Sequence, residues 1–500
     1  MKKKNSKKNI IKEAHFKDGL IAIHGRNIQG YITELTDEVK EKFDERLSKS
    51  KEEALGLSTD DMGNADYFLH IFGKYVLYDN ERREFYYWTG RLWRKDQEMR
   101  VQLWIQISME RRREIIHKAL KKNPDIKNAG LLQRHAQRCC NQHGINSVLE
   151  LIKSRIGKKV SDYNRNKHLV NVLNGTIDLR TKTLSPHNKE DYITMMIPVV
   201  YDPNSESELF KEFLEKTFQS NELIHYVKKM FGSFLSGETK EQSLYFAYGN
   251  GANGKSTLLS LVRYIMNDYA TVIPAKVLTG VDRGSAPTPE LAELPHKRLV
   301  CCSELNCNDM LNEGKIKIMS SGDTLPARPM FGHPFRFEPE FKLVIDTNYL
   351  PDINGTDWGI WRRINIIPFN YTVPKKEINV NLLEDLKKHS KAVLAWMIEG
   401  AELYYKEGLE APGEIQNSNK EYRKSQDTLG QFLTCCVEKC DGSEVRARDF
   451  YHAYINYCSE NFLKPISETK FGRDLSVKGC KRGKDRISRK YVDIRLISTK

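Results

Sequence analysis

No apolar run in this 500-residue chain approaches the roughly 18 residues that a membrane-spanning helix needs, so a helical membrane protein is excluded. The basic start, Met1 to Lys8, has no apolar stretch behind it and reads as a basic tail rather than a secretory signal. Cysteine is sparse, at ten residues. These fall at 139–140, 301–302, 307, 435–436, 440, 458 and 480, with no CxxC pair among them. That spacing excludes a disulfide scaffold and argues against zinc; reduced, mostly buried thiols in a cytosolic protein are expected. Acidic residues are outnumbered, giving a net charge of +14, which favours polyanionic partners.

What is present centres on residues 249–257, GNGANGKST, which fit G-x-x-x-x-G-K-[ST] through Gly249, Gly254, Lys255 and Ser256. Ser243 to Tyr248 before it reads as a strand. Thr257 to Met266 after it has the apolar spacing of a helix at Leu258, Leu261, Val262 and Ile265. Strand, glycine loop and helix together form a phosphate cradle: the backbone N–H groups of Gly249, Asn250, Gly251, Ala252, Asn253 and Gly254 can turn inward, and the helix N-terminus adds partial positive charge. Lys255 reaches the β- and γ-phosphates, the Ser256 hydroxyl ligates Mg²⁺, and Thr257 completes the binding segment, so ATP and Mg²⁺ are the expected cofactors.

Along the rest of the chain, residues 1–60 read as a basic, partly disordered extension, with Thr36 to Leu55 as a solvated helix. Residues 61–200 read as an α+β domain with short strands at Tyr75–Tyr78, Glu84–Trp88 and Arg91–Arg94. In the helix Val101–Lys122, Leu103, Ile107, Ile115, Ile116 and Leu120 face inward, while Arg111, Arg112, Arg113, Lys118, Lys121 and Lys122 form a solvated face. Asn174-Gly175 signals a hairpin. Residues 201–240 form a helical oligomerisation segment, 241–372 the nucleotide core, 373–435 a helical segment with helices at 379–405 and 417–435, and 436–500 a small basic domain.

Within the core, Arg298 to Glu304 (RLVCCSE) is a buried strand ending in an acid, placed to polarise the attacking water and contact Mg²⁺. Ser303 stands where a second acid often sits. Met330 to Phe337 reads as two short strands around Gly332-His333. It forms a hairpin with Phe331 and His333 at the tip and Arg328 and Arg336 beside it, suited to hold a single strand by stacking and phosphate contacts; Lys315 lies just upstream. Phe341 to Asn348 is a second buried strand whose terminal Asn348 can sense the γ-phosphate. Arg362 and Arg363, before another strand, suit an arginine finger acting on a neighbouring subunit, with Arg363 preferred.

Loop, Glu-ended strand, basic hairpin, Asn-ended strand and Arg-Arg in this order resemble a superfamily 3 helicase. More narrowly, the chain is similar over about residues 60–500 to the phage, plasmid and pathogenicity-island replication helicases related to the poxvirus primase–helicase. The resemblance implies an AAA+-like α/β P-loop core, a hexameric ring moving 3′ to 5′ on single-stranded or forked DNA with ATP hydrolysis, and a bacterial host cytoplasm. It matches Lys255 and Ser256 to the phosphate and Mg²⁺ positions, Glu304 to the Walker B acid, Asn348 to the sensor and Arg362 or Arg363 to the finger. Only about 60 residues precede the shared region, too few for a primase domain of ordinary size, so a separate primase or host replication proteins are the expected partners.

Residues 461–500 carry twelve Lys or Arg against four Asp or Glu. A helix at Ala447–Tyr457, a second at Glu468–Leu475 capped by Ser467, a basic turn at 481–490 and a strand at Tyr491–Ile497 outline a winged helix, in which Lys470, Arg473, Arg482 and Arg489 would meet DNA. Against the helicase stands an origin-binding initiator that uses ATP only to assemble. A small-molecule P-loop kinase fits poorly, because it needs neither the arginine pair nor the basic hairpin.

Overall fold

The computed structural model describes residues 22–23, 26–27, 34–279, 288–302, 305, 309–330, 332–353, 358–483 and 489–497. The expected roles of Glu304 and Phe331 fall outside these residues. The chain is a mixed α/β protein of two units: residues 1–202 with 267–269, and 203–266 with 270–500.

In the first unit, the helices Asp37–Lys49 and Lys51–Gly56 bury Val39, Phe43, Leu47 and Ala54. The expected solvated helix is therefore part of the core. The Phe43 ring meets Phe72, Tyr75 and Trp104 edge-on at 4.9–5.0 Å, and such aromatic packing outweighs the charged residues that dominate this stretch. Helix Arg100–Lys122 brings a second correction, since Arg112 on the expected solvated face is fully buried. Its guanidinium donates to Asn64 Oδ1 at 2.8 Å and to the carbonyls of Ala54, Leu57 and Ser58 at 2.9–3.2 Å, which satisfies a charge that burial would otherwise penalise. Strands Val76–Asp79, Glu84–Trp88, Trp93–Lys95 and Gly157–Lys158 form one sheet. Leu169–Val172, Gly175–Asp178 and Thr183–Ser185 form another, with the hairpin turn at Leu173-Asn174, one residue earlier than expected.

The second unit opens with α1 (Glu208–Phe218) and α2 (Asn221–Phe234), whose first turns are capped by Ser207 and Ser220. A parallel five-stranded sheet follows, built from β1 (Leu244–Tyr248), β2 (Ala270–Ile273), β3 (Leu299–Cys302), β6 (Lys342–Thr347) and β7 (Ile364–Pro368) in the order β2-β3-β6-β1-β7. Its inner strands β3, β6 and β1 are near-continuous apolar runs because both faces are covered. Helix α3 (Lys255–Met266) leaves the top of β1, α4 (Glu313–Ser321) follows β3, and a two-stranded hairpin pairs β4 (Leu325–Ala327) with β5 (Phe335–Phe337). The hairpin's first strand lies before Met330, not at it, so Gly332 and His333 belong to the connection between the strands.

The two long helices expected after the core are each broken. Leu382–Lys388 (α5) and Ser390–Glu407 (α6) part at His389, while Gly413–Gln426 (α7) and Thr428–Cys436 (α8) part at Asp427. Asp427 leaves helical geometry to cap the new helix, accepting from Gly430 N at 2.9 Å. Helix α6 packs against α2 so closely that a Cβ on Gly232 would lie 2.1 Å from Ala401 N, and one on Gly400 would lie 2.1 Å from Lys228 O. Only glycine permits this crossing. The carbonyls that end α2 are met by cations: Arg298 donates to Leu235 O and Lys342 to Ser236 O, each complementing the helix dipole.

The C-terminal part adds β8 (Val437–Arg446), α9 (Ala447–Glu460), α10 (Glu468–Val477), β9 (Arg482–Gly483) and β10 (Lys490–Leu496), with sheet order β8-β10-β9. Phe432, Phe450, Tyr454, Phe471, Leu475 and Tyr491 fill its core. Strand β8 was not expected, since its charged, half-exposed sequence hides the alternation. Ser467 caps α10 as expected, accepting from Lys470 N.

Candidate functional site

Residues 249–254 turn from β1 into α3 with Gly251, Ala252 and Gly254 at positive φ, the conformation that aims successive N–H groups to one side. Gly249 has no room for a side chain, because a Cβ there would lie 2.3 Å from Phe369 O. Asn250, Gly251 and Ala252 are exposed. Asn253 is buried and turned inward: its Nδ2 donates to Phe369 O at 3.1 Å and staples the loop to the end of β7. Its side chain is thus structural, with Oδ1 accepting from Lys255 N at 3.4 Å. Gly254 and Thr257 are half-buried.

Lys255 is 3% exposed, and its Nζ is held by four groups. It donates to Asn348 Oδ1 at 2.6 Å, Thr347 O at 3.1 Å and Gly249 O at 3.3 Å, and lies 3.2 Å from Asp346 Oδ1. Ser256 Oγ donates to Asp346 Oδ2 at 2.9 Å. The loop and the end of β6 therefore converge and bring Lys255 and Asn348 together. They are adjacent because β1 and β6 are neighbours in register, Ala247 opposite Asp346 and Tyr248 opposite Thr347.

Asp346 is the residue that sequence reasoning missed. It stands two positions before Asn348 in a strand read as uniformly buried, and an acid interrupting that run was the available signal. Beneath the site, burial pushes the Cys301 and Cys302 thiols up to about 12, so these are inert core groups.

The arginine pair lies at the other end of the sheet. Leu244 opens β1 opposite Ile364, and Leu244 N donates to Arg363 O at 2.7 Å, so Arg362 and Arg363 sit below the strands whose tops carry the loop. The five residues of β7 span roughly 16 Å at about 3.3 Å each. Neither arginine can serve its own chain's loop. Arg363, the preferred finger, is 7% exposed and tied within the chain to Ser320 Oγ at 3.2 Å, Gln242 Oε1 at 3.2 Å and Gly359 O. Arg362 is the exposed member and bonds Gln242 Oε1. The expectation preferred Arg363 as a group that reaches a neighbour; of the two, Arg362 is the one at the surface and Arg363 is buried.

On the hairpin, Arg328, His333 and Arg336 are exposed, and Arg336 stands opposite Pro326. Lys315 is half-buried in the first turn of α4. In the C-terminal part, Arg473 and Arg489 are exposed and Lys470 is half-buried. Arg482 Nη2 donates to Gly472 O at 2.7 Å, which ties β9 to α10. The four residues share one small domain, apart from the loop region.

Residues 65–219 match the family model described as "D5 N terminal like", and residues 247–363 match a family of unknown function. The chain is 28% identical over 329 residues to "Putative helicase L207/L206" of Acanthamoeba polyphaga mimivirus, covering 61% of this chain and 34% of that protein. It is 27% identical over 208 residues to "Primase D5" of Fowlpox virus, covering 40% of this chain and 24% of that protein. The chain thus spans about a third or less of the length of these curated relatives. A solved structure of the NrS-1 C-terminal region aligns with a TM-score of 0.48 at 10% identity, over 84% of this chain and 95% of that one. The sequence matches relate the chain to the poxvirus-D5-like helicase and primase proteins. Among the described residues no helix is long and apolar enough to cross a membrane.

Proposed function

We propose that this chain is an ATP-driven DNA helicase of superfamily 3 type, serving replication of a virus or mobile element as a ring of identical subunits. The observation that carries the reading is the convergence of Lys255 and Ser256, at the start of α3, with Asn348 at the end of β6. The kinship with proteins named helicase or primase supports it. The strand order β2-β3-β6-β1-β7, with the loop strand inside the sheet, suits an AAA+-like P-loop core. The helix, strand, two helices and hairpin of residues 428–496 suit a winged helix.

In this reading Lys255 leaves Asn348 and Thr347 to meet the β- and γ-phosphates, and the backbone N–H groups of 249–254 take the remaining oxygens. The residues fit Mg²⁺, since the Ser256 hydroxyl is exposed beside a carboxylate, and Ser256 with Glu304 are the side chains that would hold it. The metal supplies charge neutralisation between the phosphates. Asn348, released by Lys255, orients the attacking water in this reading. Arg362 acts on the neighbouring subunit's nucleotide, because its own is a strand's length away. The exposed Arg328, His333 and Arg336 hold the strand that passes through the ring.

ATP turnover measured with and without single-stranded DNA, followed by displacement of a labelled strand from a fork, tests the reading. Stimulation by DNA together with displacement is expected. Turnover indifferent to DNA would turn the assignment towards a kinase. DNA binding and assembly without displacement would favour the initiator, which the exposed Arg473 and Arg489 of the C-terminal domain also suit.

A further inference from the structure

Lys255 and Ser256, which the ATPase reading assigns to the triphosphate and its metal, meet one carboxylate that the reading leaves without a task. Asp346 receives the Ser256 hydroxyl on Oδ2 at 2.9 Å and faces Lys255 Nζ from Oδ1 at 3.2 Å. Oδ1 is buried but accepts no hydrogen bond among the described residues, because the ammonium sits at ion-pair distance without hydrogen-bond alignment. Among the described residues Asp346 therefore holds an acceptor with no hydrogen bond, beside a hydroxyl suited to Mg²⁺.

The register explains why the acid stands here. In the parallel pair β3–β6, Cys302 lies opposite Ile345, and Asp346 is the next residue of β6. In sequence, Cys302 is followed by Ser303 and then Glu304, so the strand expected to carry the metal's acids has one carboxylate where two are common. Neighbouring strands are only about 4.8 Å apart and present residues of equal register to the same face. Mg²⁺ retains several waters and binds few protein groups directly, so a carboxylate that accepts from metal-bound water holds the ion almost as effectively from the adjacent strand.

We propose that Asp346, at the end of β6, is a second acid of the Mg²⁺–triphosphate site. As it stands in the structure, the same carboxylate is the counter-ion of Lys255 and the acceptor for Ser256. When nucleotide draws Lys255 onto the phosphates, Asp346 turns to the waters around the metal. This rests on the ATPase reading.

The test is a Mg²⁺ titration of fluorescent-ATP binding to the full chain and to its Asp346→Asn variant, with no turnover required. The Mg²⁺ needed for half-maximal binding is expected to rise about 10- to 100-fold in the variant, the usual loss for an outer partner of a metal. Metal-free affinity is expected to hold or tighten, since Lys255 has lost its counter-ion. An unchanged Mg²⁺ requirement would overturn the proposal; an acid that merely neutralised Lys255 would alter metal-free affinity alone. Wild-type protein that binds no nucleotide would instead sink the ATPase reading itself. Should Asp346→Asn fail to fold, wild-type protein loaded with ATP and ferrous iron in place of Mg²⁺, then treated with hydrogen peroxide and ascorbate, decides by oxidative backbone cleavage. Cuts beside Asp346 as well as Ser256 are expected, and cuts at Ser256 without any beside Asp346 would overturn the assignment.

Discussion

Arg362 and Arg363 share one acceptor, Gln242 Oε1, yet one is exposed and the other buried. Both guanidinium groups reach that oxygen from the turn between the short helix Trp358–Trp361 and β7, but Arg363 is also held by Ser320 Oγ and Gly359 O inside the fold, while Arg362 stays exposed.

That division predicts different phenotypes. Arg362→Ala should bind ATP normally but lose hydrolysis by about 10³-fold, the usual worth of an arginine finger. Mixing it with a Lys255→Ala subunit should restore part of the activity, because an interface with an intact loop on one side and an intact Arg362 on the other re-forms. Turnover of the mixture no higher than that of either variant alone would count against a finger in trans. Arg363→Ala should instead lower stability by about 3 kcal/mol, through the abandoned Ser320, Gly359 and Gln242 partners, as read by denaturant unfolding.

Lys255→Ala removes the cation that Asn348, Thr347 and Asp346 surround, and ATP turnover should fall about 100-fold or more. A steady-state phosphate-release assay reads it, and near-normal turnover would remove the loop from the chemistry.

The crossing of α2 and α6 allows no methyl group. Gly232→Ala should destabilise the second unit by about 3 kcal/mol, because the clash is with backbone rather than a movable side chain. Thermal unfolding of the variant decides this, and a midpoint indistinguishable from wild type would contradict the packing.

Arg473 and Arg489 are exposed on the C-terminal domain. The double variant Arg473→Ala with Arg489→Ala should weaken duplex binding, and its log–log salt slope should flatten by about 0.9 for each phosphate left unneutralised. Fluorescence anisotropy at several salt concentrations measures both; an unchanged slope would place these side chains off the DNA.

Lys342 is fully enclosed, and burial, reinforced by Arg298 nearby, lowers its pKa to about 7. Between that value and the unfolded chain's 10.5 the unfolded state holds the extra proton, so this group makes stability rise with pH across the window. Below about 7 both states are charged and the burial penalty is complete. Relative to Lys342→Met, the wild type should therefore gain on the order of a few kcal/mol between about pH 7 and pH 10. Parallel denaturation curves at the two pH values test it, and a constant difference would show that the ammonium is not desolvated.

Neighbours along the chain were enough to specify one set of features. The loop of residues 249–257 with its flanking strand and helix, the Ser467 cap and the apolar strands at 299–302 and 342–347 follow from local backbone chemistry and hydrophobic runs, and the structure has them in place. Lys255 and Asn348 each carried a nucleotide role in the sequence, but their contact follows from the parallel pairing of β1 with β6. A second set depends on segments far apart in sequence, and folding had to bring those together before their roles could be read. Phe43 and Arg112 sit in charged sequence, but each finds partners from remote helices that make burial favourable. Asp346 looks like a flaw in a buried strand until the register sets it beside Ser256, and no spacing along the chain shows which of two adjacent arginines the fold will consume.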